Sequence, residues 1–330
     1  MSSYGLLKEN RLNPYFVTGY SDGESSFSIR FITSNRSKFG FIINPVFSLG
    51  TEANVENLKL LERIKDFFGN IGSISLCGGN MFYYEVSSIT TLQVIINHFE
   101  KYPLETTKII HFKLLSNVVK MILNKEHLTE EGFMKILSIK AVFPKGLHEK
   151  ILTAYPNIKP IIKPTFIPNS GRLNPDWVAG FSQADSSFGL YAVKYSNRKL
   201  GYCILPQYRV TQHERDLIVL KRIIRPPSPG GWIIHPGLRP GRIILTMGCG
   251  YLVKPNPGRD RYTVSVGSIK DLLGIIIPFF EKHPFYGAKW LDFKYFCIGM
   301  EIIKNKGHLT QEGLDSIKKL ASNMNSGRKF

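Results

Sequence analysis

The sequence has no apolar run that approaches the roughly 20 residues of a membrane-spanning helix. Its longest apolar stretch, residues 272–280, is interrupted by Gly274 and Pro278. The residues before Arg11 contain neither the apolar segment of a signal peptide nor an arginine-rich targeting pattern. We therefore expect a protein that is neither secreted nor bound to a membrane.

Cysteine and histidine are too sparse and too scattered to indicate a metal site of their own. The four cysteines (Cys77, Cys203, Cys249 and Cys297) have no zinc-type spacing, and no two of the eight histidines form a His-x-x-x-His pair. These absences argue against a zinc site. They predict reduced cysteines that act as small apolar side chains in an intracellular compartment.

Acidic residues are also under-represented. The chain has 25 Asp and Glu against 43 Lys and Arg, a formal net charge of +18. Such a surplus favours a polyanionic partner, with nucleic acid first and an anionic membrane second, although a basic surface can also serve solubility alone. Because the apolar runs are missing, nucleic acid is the favoured partner.

The most informative feature that is present is an internal repeat. Residues 16–24 read FVTGYSDGE and residues 177–185 read WVAGFSQAD, a separation of 161 positions. Both stretches follow Arg-Leu-Asn-Pro, both precede Ser-Ser-Phe, and each ends in a carboxylate. A duplicated unit with one acid per copy suggests a site with approximate twofold symmetry.

The repeat continues downstream and defines the domain organisation. The segment HLTEEG at 127–132 returns as HLTQEG at 308–313, now 181 positions later, so the second copy carries about twenty extra residues, which we place between Gln212 and Ser268. We predict two domains, at 1–140 and 173–330, joined by a proline-rich extended linker at 141–172.

Hydrophobic periodicity predicts the same α-ββ-α-ββ-αα order in both copies. In the first copy the predicted elements are a helix from Pro14 to Glu24, a strand around 27–32, a strand ending near Thr51, a helix at 54–68, strands at 72–77 and 81–88, and helices at 89–101, 105–124 and 129–140.

Gly19 and Gly180 occupy equivalent positions among apolar residues of the two acid-bearing helices. A glycine inside a helix costs about 1 kcal/mol, and the simplest compensation is close approach of another backbone. If the two helices pack through these glycines, Glu24 and Asp185 come close together. Adjacent carboxylates favour a divalent cation, and oxygen ligands favour Mg²⁺ over Zn²⁺. The alternative is that each acid only caps a strand or pairs with a surface lysine.

These paired stretches resemble the two motifs of single-chain LAGLIDADG homing endonucleases, from Leu12 to about Leu320. The resemblance implies an α+β fold. In it, two pseudo-symmetric αββαββα domains form a saddle, their antiparallel sheets lie over DNA and the motif helices form the interface. It implies that Glu24 and Asp185 are the catalytic acids, and that the backbone carbonyls of Gly23 and Ala184 also bind metal.

Further site residues follow from the same resemblance. Lys108 and Lys289 are similar to basic residues that reach toward the active-site water, or they are surface lysines. Gln212 is similar to a polar residue that orders water beside the metal, and its counterpart Thr51 is shorter. The implied cofactor is Mg²⁺ at two or three sites, with Ca²⁺ or Mn²⁺ as substitutes. The residue two positions before each acid, which we call the sixth motif position, is Asp22 in one copy and Gln183 in the other. The two copies therefore differ at this position, and the difference concerns the local geometry of the helix end rather than metal binding.

Strand alternation predicts the side chains that face DNA, since a two-stranded ribbon fits the major groove. Arg30 and Arg209 are the predicted guanine contacts, and the turn residues Arg36, Lys38, Arg198 and Lys199 are predicted phosphate contacts. The other predicted DNA-facing residues are Ser28, Ile32, Ser34, Asn44, Val46, Ser48, Gly189, Tyr191, Val193, Tyr195, Gln207, Trp232 and Arg239. The alternative for each is an exposed polar position without a base contact.

The sequence therefore predicts a monomeric, Mg²⁺-dependent endonuclease of double-stranded DNA. The resemblance implies a long non-palindromic target, short 3′ overhangs and an origin in a mitochondrial intron. Two alternatives stay open: an intron RNA maturase on the same fold, and a DNA-binding protein without catalysis. The presence of both acids favours cleavage and does not exclude a second role with intron RNA.

Overall fold

The computed structural model describes residues 11–169, 171–224, 249–254 and 258–325. Within these ranges one order of helices and strands occurs twice. The first copy consists of α1 (Pro14–Glu24), β1 (Ser25–Thr33), β2 (Phe41–Glu52), α2 (Val55–Phe67), β3 (Ser73–Cys77), β4 (Met81–Val86), α3 (Ile89–Lys101), α4 (Lys108–Leu123) and α5 (Glu130–Lys140). A short helix, α6 (Glu149–Ala154), lies between the copies.

The second copy repeats this order with local changes. It consists of α7 (Pro175–Asp185), β5 (Ser186–Lys194), β6 (Tyr202–His213), α8 (Leu217–Ile224), β7 (Tyr251–Val253), β8 (Arg261–Val266), α9 (Ile269–Asp271), α10 (Ile277–Lys282), α11 (Gly287–Lys304) and α12 (Gln311–Ser322). Among the described residues, no helix combines the length and apolar content needed to cross a bilayer.

Each copy builds one four-stranded antiparallel sheet, which confirms the predicted α+β class. The strand orders are β1-β2-β4-β3 and β5-β6-β8-β7. The registers are equivalent, since Ser25 pairs with Leu49 in the first sheet and Ser186 pairs with Val210 in the second. Equivalent positions of the two sheets can therefore be compared residue by residue.

The repeated HLTxEG segments begin a helix in both copies. The Thr129 hydroxyl accepts a hydrogen bond from the Gly132 amide at 3.1 Å, and the Thr310 hydroxyl accepts one from Gly313 at the same distance. These are N-caps, which satisfy amides that the first helical turn leaves without partners. The glycine is required because a Cβ at Gly132 would lie 2.0 Å from the Glu126 carbonyl oxygen. This repeated motif is therefore structural.

The extra residues of the second copy do not all lie between Gln212 and Ser268, as the sequence predicts. One of them lies further along the chain, inside a helix. Ile269 follows Ile89 by 180 positions, whereas Lys282 follows Lys101 by 181. The single additional residue is absorbed by a π-helical turn, Leu272–Ile276, between α9 and α10. A π-turn is the usual way in which a helix accommodates one inserted residue without changing the face that it buries.

The chain divides into two compact units. The first contains Glu24–Ala53 and Leu61–Ile167 with the described residues up to Pro14, and the second contains Tyr15–Gly23, Asn54–Leu60 and the described residues from Pro168 onward. Nearly all of α1 thus groups with the second copy.

The predicted extended linker contains more structure than its prolines indicate. Phe143 and the α6 residue Ile151 are buried in hydrophobic clusters of the first unit. The Tyr155 hydroxyl donates a hydrogen bond to the Phe39 carbonyl at 2.9 Å. The prolines end helices but do not prevent Phe143 and Ile151 from packing into the core of the first unit, whereas Ile162 and Ile167 are exposed.

Equivalent phenylalanines stand at the centre of both cores. The Phe27 ring contacts Phe47, Phe99 and Phe112, with centroid separations of 5.3–5.6 Å. The ring of Phe188, the equivalent residue of the second unit, is fully buried and contacts five aromatic rings, which belong to Tyr208, Phe280, Phe285, Phe293 and Phe296. The strand that follows each motif helix is therefore fixed to the core by its third residue.

We expect Phe188→Ala to lower the free energy of unfolding by about 3–5 kcal/mol, because it removes a fully buried ring and leaves a cavity. Denaturant unfolding followed by circular dichroism measures this change. Tyr195→Ala is the matched control, since its exposed ring should change stability by no more than about 0.5 kcal/mol. Equal effects of the two substitutions would contradict the proposed role of the ring.

Candidate active site and nucleic-acid interface

The two motif helices contact each other through their glycines, as the sequence predicts. A Cβ added at Gly19 would lie 2.0 Å from the Trp177 carbonyl oxygen, and one added at Gly180 would lie 2.0 Å from the Phe16 carbonyl oxygen. Residues 15–23 and α7 belong to the same compact unit. The contact is reciprocal, and on each side the closest obstacle is backbone rather than a side chain that could move.

The C-terminal ends of these helices also meet. A Cβ at Gly23 would lie 2.1 Å from the Ala184 Cβ and 2.9 Å from Asp185 Oδ2. Gly23 and Ala184 are the equivalent residues of the two motifs, so the space between the helix ends holds one methyl group and not two. The Asp185 carboxylate therefore lies beside the Gly23 backbone, and Glu24 is the next residue along the chain.

The departures at the sixth motif position each have a hydrogen-bond partner. Asp22 is buried, and its Oδ2 accepts a hydrogen bond from the Trp177 indole nitrogen at 2.8 Å. In the second motif, Gln183 Oε1 accepts a hydrogen bond from the Tyr286 amide at 2.9 Å. The residue equivalent to Trp177 is Phe16, whose ring has no donor and packs edge-on against the Tyr286 ring at 4.8 Å. The two motifs thus differ both in the residue at this position, Asp22 or Gln183, and in the group that donates a hydrogen bond to it.

Gln212 lies beside the second acid. Its Nε2 donates a hydrogen bond to Asp185 Oδ2 at 2.6 Å. Gln212 is at the end of β6, and α7 is anchored to the same strand by a 2.7 Å hydrogen bond between the Ser182 and Tyr208 hydroxyls. Burial raises the pKa of Tyr208, which keeps this hydroxyl neutral. The carboxylate is therefore held in place by β6, the second strand after its own helix.

The acids stand at the unfavourable ends of their helices. Glu24 is the last residue of α1 and Asp185 the last residue of α7, and neither helix has a basic residue in its last turn. The helix dipole leaves partial negative charge at this end, so a carboxylate there is stabilised by a nearby cation. Oxygen donors in this setting fit a hard divalent ion.

No group of three or more His, Cys, Asp or Glu side chains capable of holding a metal occurs among the described residues. A cation beside Asp185 would therefore take its remaining ligands from backbone carbonyls, water or a bound phosphate. That ligand set is the usual one for Mg²⁺, which proteins hold through one or two carboxylates together with substrate phosphates.

The repeated lysines lie at the opposite helix end, where a cation is unfavourable. Lys108 is the first residue of α4 and Lys289 the third of α11, and neither first turn contains an acid. Lys289 is largely buried, and its Nζ donates a 2.6 Å hydrogen bond to the Ser186 carbonyl, one residue after Asp185. Positive charge at a helix N-terminus favours an anionic partner near it.

One positioning residue was not predicted from the sequence. Asn57 is buried, and its Oδ1 accepts a hydrogen bond from the Ala288 amide at 3.0 Å, which holds the start of the helix that carries Lys289. Its neighbour Asn54 accepts a hydrogen bond from the Asn57 amide at 2.9 Å. The only available signal was an asparagine on the buried face of an amphipathic helix.

The sheet faces expose most of the predicted DNA-facing residues. Arg30, Ile32, Arg36 and Lys38 are exposed in the first unit, and Tyr191, Val193, Tyr195, Arg198 and Lys199 are exposed in the second. Ser28, Ser34, Asn44, Gln207 and Arg209 are half-buried. Trp232 and Arg239 lie outside the described residues.

Three predicted DNA-facing positions are corrected by the structure. Val46 pairs with Ser28 and lies on the predicted face, but it is 0% exposed, and Ser48 on the same face is only 7% exposed. Gly189 is buried, and a Cβ added there would lie 2.4 Å from the Tyr191 ring. Alternation along a strand fixes which face a residue points to, but it does not reveal what covers that face.

The two arginines predicted to contact guanine have partners within their own sheets. The Arg30 guanidinium forms a two-pronged ion pair with Glu85 on β4, and that hydrogen bonding raises the pKa of Arg30. The Arg209 guanidinium lies over the Tyr191 ring, 5.4 Å from its centroid. Exposed ion pairs contribute at most about 1 kcal/mol, so Arg30 can exchange this partner for another at little cost.

Comparison with known proteins agrees with this architecture. The model of the LAGLIDADG endonuclease family matches residues 17–119. The crystal structure of the I-SmaMI LAGLIDADG homing endonuclease bound to cleaved DNA is 34% identical, with a TM-score of 0.86 over 97% of this chain and 99% of that one. I-SmaMI has also been solved with an uncleaved DNA target in the presence of calcium ions, at 33% identity and a TM-score of 0.84, over 95% of this chain and 99% of that one. The chain belongs to the LAGLIDADG endonuclease family.

Two relatives from Neurospora crassa extend the comparison. They are named probable intron-encoded endonuclease 3 and probable intron-encoded endonuclease 2, and each is 30% identical over 94% and 95% of this chain, respectively. The chain spans 54% of the length of the first relative and 65% of the second.

We expect Gly180→Ala to destabilise the protein by about 1–3 kcal/mol, because its methyl group would meet a backbone carbonyl and force the helices apart. Thermal unfolding measures this effect. Gly274→Ala is the matched control, since Gly274 is also helical and an added Cβ there meets nothing within 4 Å. A Gly180→Ala protein as stable as the control would refute the close contact.

Proposed function

We propose that this chain is a site-specific endonuclease that makes a double-strand break in DNA. The observation that carries the proposal is the pair of motif helices. They pack through Gly19 and Gly180, and each ends in an acid, one of which is held by Gln212. The chain is also similar to a homing endonuclease over nearly its whole length, and this similarity supports the proposed endonuclease activity.

In this proposal Glu24 and Asp185 would hold Mg²⁺, together with the backbone carbonyls of Gly23 and Ala184. A bound divalent cation would lower the pKa of water and stabilise charge on the phosphate oxygens during hydrolysis. Gln212 fixes the orientation of the Asp185 carboxylate. Lys108 and Lys289 supply positive charge for the phosphorane that forms when water attacks a phosphate.

We propose a single chain acting on a long non-palindromic DNA target and leaving short 3′ overhangs. A monomer that contains two unequal copies of one unit has no need of a palindromic site, because each copy contacts its own half. The net charge of +18 supports strong, salt-sensitive binding to the phosphate backbone. We also propose an origin in a mitochondrial intron, and the names of the Neurospora crassa relatives, which are intron-encoded, support the intron part of this proposal.

Selection of cleaved sites from a randomised DNA pool tests the proposal and supplies the target. We expect a discrete family of sites cut on both strands with Mg²⁺ and bound without cutting when Ca²⁺ replaces it. Binding in both ions without any cleavage would refute the nuclease and favour a DNA-binding protein. Preference for a folded intron RNA over every DNA would favour a maturase.

We expect Glu24→Gln and Asp185→Asn each to lower double-strand cleavage by about a thousandfold or more, because the neutral amides no longer hold the cation. DNA affinity measured in Ca²⁺ should change much less than the cleavage rate. Glu301→Gln is the control, since Glu301 is a surface acid that pairs with Lys304. Retention of cleavage in either acid variant would remove that acid from the site.

We expect Lys108→Met and Lys289→Met to slow single-turnover cleavage by about ten- to a thousandfold, since each removes a charge that favours the transition state over the bound substrate. The affinity for DNA should fall by no more than is expected when a protein loses one contact with a phosphate. Lys304→Met is the surface control. If affinity and rate fell together to the same extent, the lysines would be binding residues only.

A further inference from the structure

The two sheets carry different chemistry at equivalent positions of the face that the proposed function assigns to DNA. The equivalence follows from the registers, in which Arg30 pairs with Asn44 as Tyr191 pairs with Leu205, and Ser73 pairs with Glu85 as Tyr251 pairs with Ser265. At four positions the first sheet is polar and the second is apolar or aromatic. The pairs are Arg30 and Tyr191, Asn44 and Leu205, Ser73 and Tyr251, and Ser75 and Val253.

The substituted side chains of the second sheet remain partly exposed in the described part of the chain. Together with Val193 they form what we call the apolar sheet face. Its exposed fractions are 42% for Tyr191, 44% for Val193, 42% for Leu205, 49% for Tyr251 and 40% for Val253. An apolar surface of this kind usually marks a binding site rather than ordinary solvent-exposed surface.

Positive charge borders the apolar sheet face at both ends. The β5–β6 turn carries Lys194, Arg198 and Lys199, and the β7–β8 end carries Lys254, Arg259 and Arg261, all of them exposed. Cations at the strand ends and apolar side chains between them match a DNA major groove, where phosphates line the edges and bases the floor. The charge pattern therefore selects nucleic acid as the occupant.

Only one apolar group is presented by base edges in the major groove, the 5-methyl of thymine. Leu205, Val193 and Val253 have no hydrogen-bonding atoms, so they cannot read the donors and acceptors of G·C pairs. Apolar contact with thymine methyls is the specific interaction available to them.

We propose that at these four positions the second repeat reads its DNA half-site through thymine methyl groups, whereas the first repeat reads polar base edges. At the next position along the first strand both sheets are apolar, with Ile32 and Val193. This inference rests on the proposed function and adds the specificity of one half of the interface. The target half bound by the second repeat is then rich in A·T pairs at the contacted positions.

Replacement of thymine by deoxyuridine tests the proposal, because it removes the methyl group and leaves all base-pairing atoms in place. With the selected target in Ca²⁺, we expect deoxyuridine in the half-site of the second repeat to weaken binding about two- to fourfold for each contacted methyl. Deoxyuridine at the positions of the other half-site that face Arg30, Asn44, Ser73 and Ser75 should have a much smaller effect.

Cys77 identifies the two half-sites independently of this result. It is exposed at the end of β3, whereas Cys249 is buried and Cys203 and Cys297 are half-buried. A thiol-coupled DNA-cleaving reagent on Cys77 therefore marks the half-site of the first repeat.

Variants that restore the residues of the first sheet supply a second test. Leu205→Asn and Val253→Ser should reduce the difference in affinity between thymine and deoxyuridine at their own positions. Val193→Ile is the matched control, because it stays apolar and takes the residue of the equivalent position, Ile32. All three residues are exposed, so the variants should fold normally.

The outcomes separate the two proposals. Suppose that the target is cut normally, but deoxyuridine weakens binding equally in the two half-sites or in neither of them. That result would overturn the readout of thymine methyl groups and leave the proposed nuclease activity unaffected. Variants that change protein stability but not base preference would also overturn it, since the face would then contact protein. Absence of any DNA binding would overturn the proposed function itself.

Discussion

The contact between the two motif helices is the constraint on which the rest of the site depends. Gly19 and Gly180 bring each backbone against the carbonyl of the other helix, and the space at the helix ends holds one methyl group between Gly23 and Ala184. Because the closest obstacles are backbone atoms, neither helix can accept a larger side chain at these positions without moving away from the other. This close packing also determines how near the Asp185 carboxylate lies to Gly23. The proposed chemistry therefore depends on the packing of the two helices.

Around this contact the two copies differ in pairs of residues rather than singly. Trp177 donates to Asp22, whereas the equivalent Phe16 cannot donate and the equivalent Gln183 takes the Tyr286 amide instead. An unsatisfied buried carboxylate would cost at least about 1–3 kcal/mol, so the acid and its indole donor stabilise each other. Asp22 and Gln183 are therefore two different acceptors at the same buried position, and each receives a hydrogen bond from its own donor.

Sequence reasoning located what depends on local spacing. It predicted α3 at 89–101 with the bounds that the structure has, and the contact through the two glycines. It missed what depends on neighbours that are remote in sequence, such as the partner of Arg30 on β4 and the burial of Val46. It also missed the π-turn, because residues 272–280 are apolar at almost every position, so the sequence there does not show the change of phase that one added residue introduces.

A duplicated chain shows which positions are physically constrained, since both copies face the same problem. The copies agree where a Cβ would meet backbone or where an amide needs a cap, as at Gly19 and Gly180 or at Thr129 and Thr310. They differ where the side chain is exposed on the sheet, as at Arg30 and Tyr191. The helices that hold the site therefore limit divergence, while the sheet faces are free to acquire separate preferences. Under the proposed function, a single chain can in this way keep one catalytic arrangement and contact two unrelated half-sites.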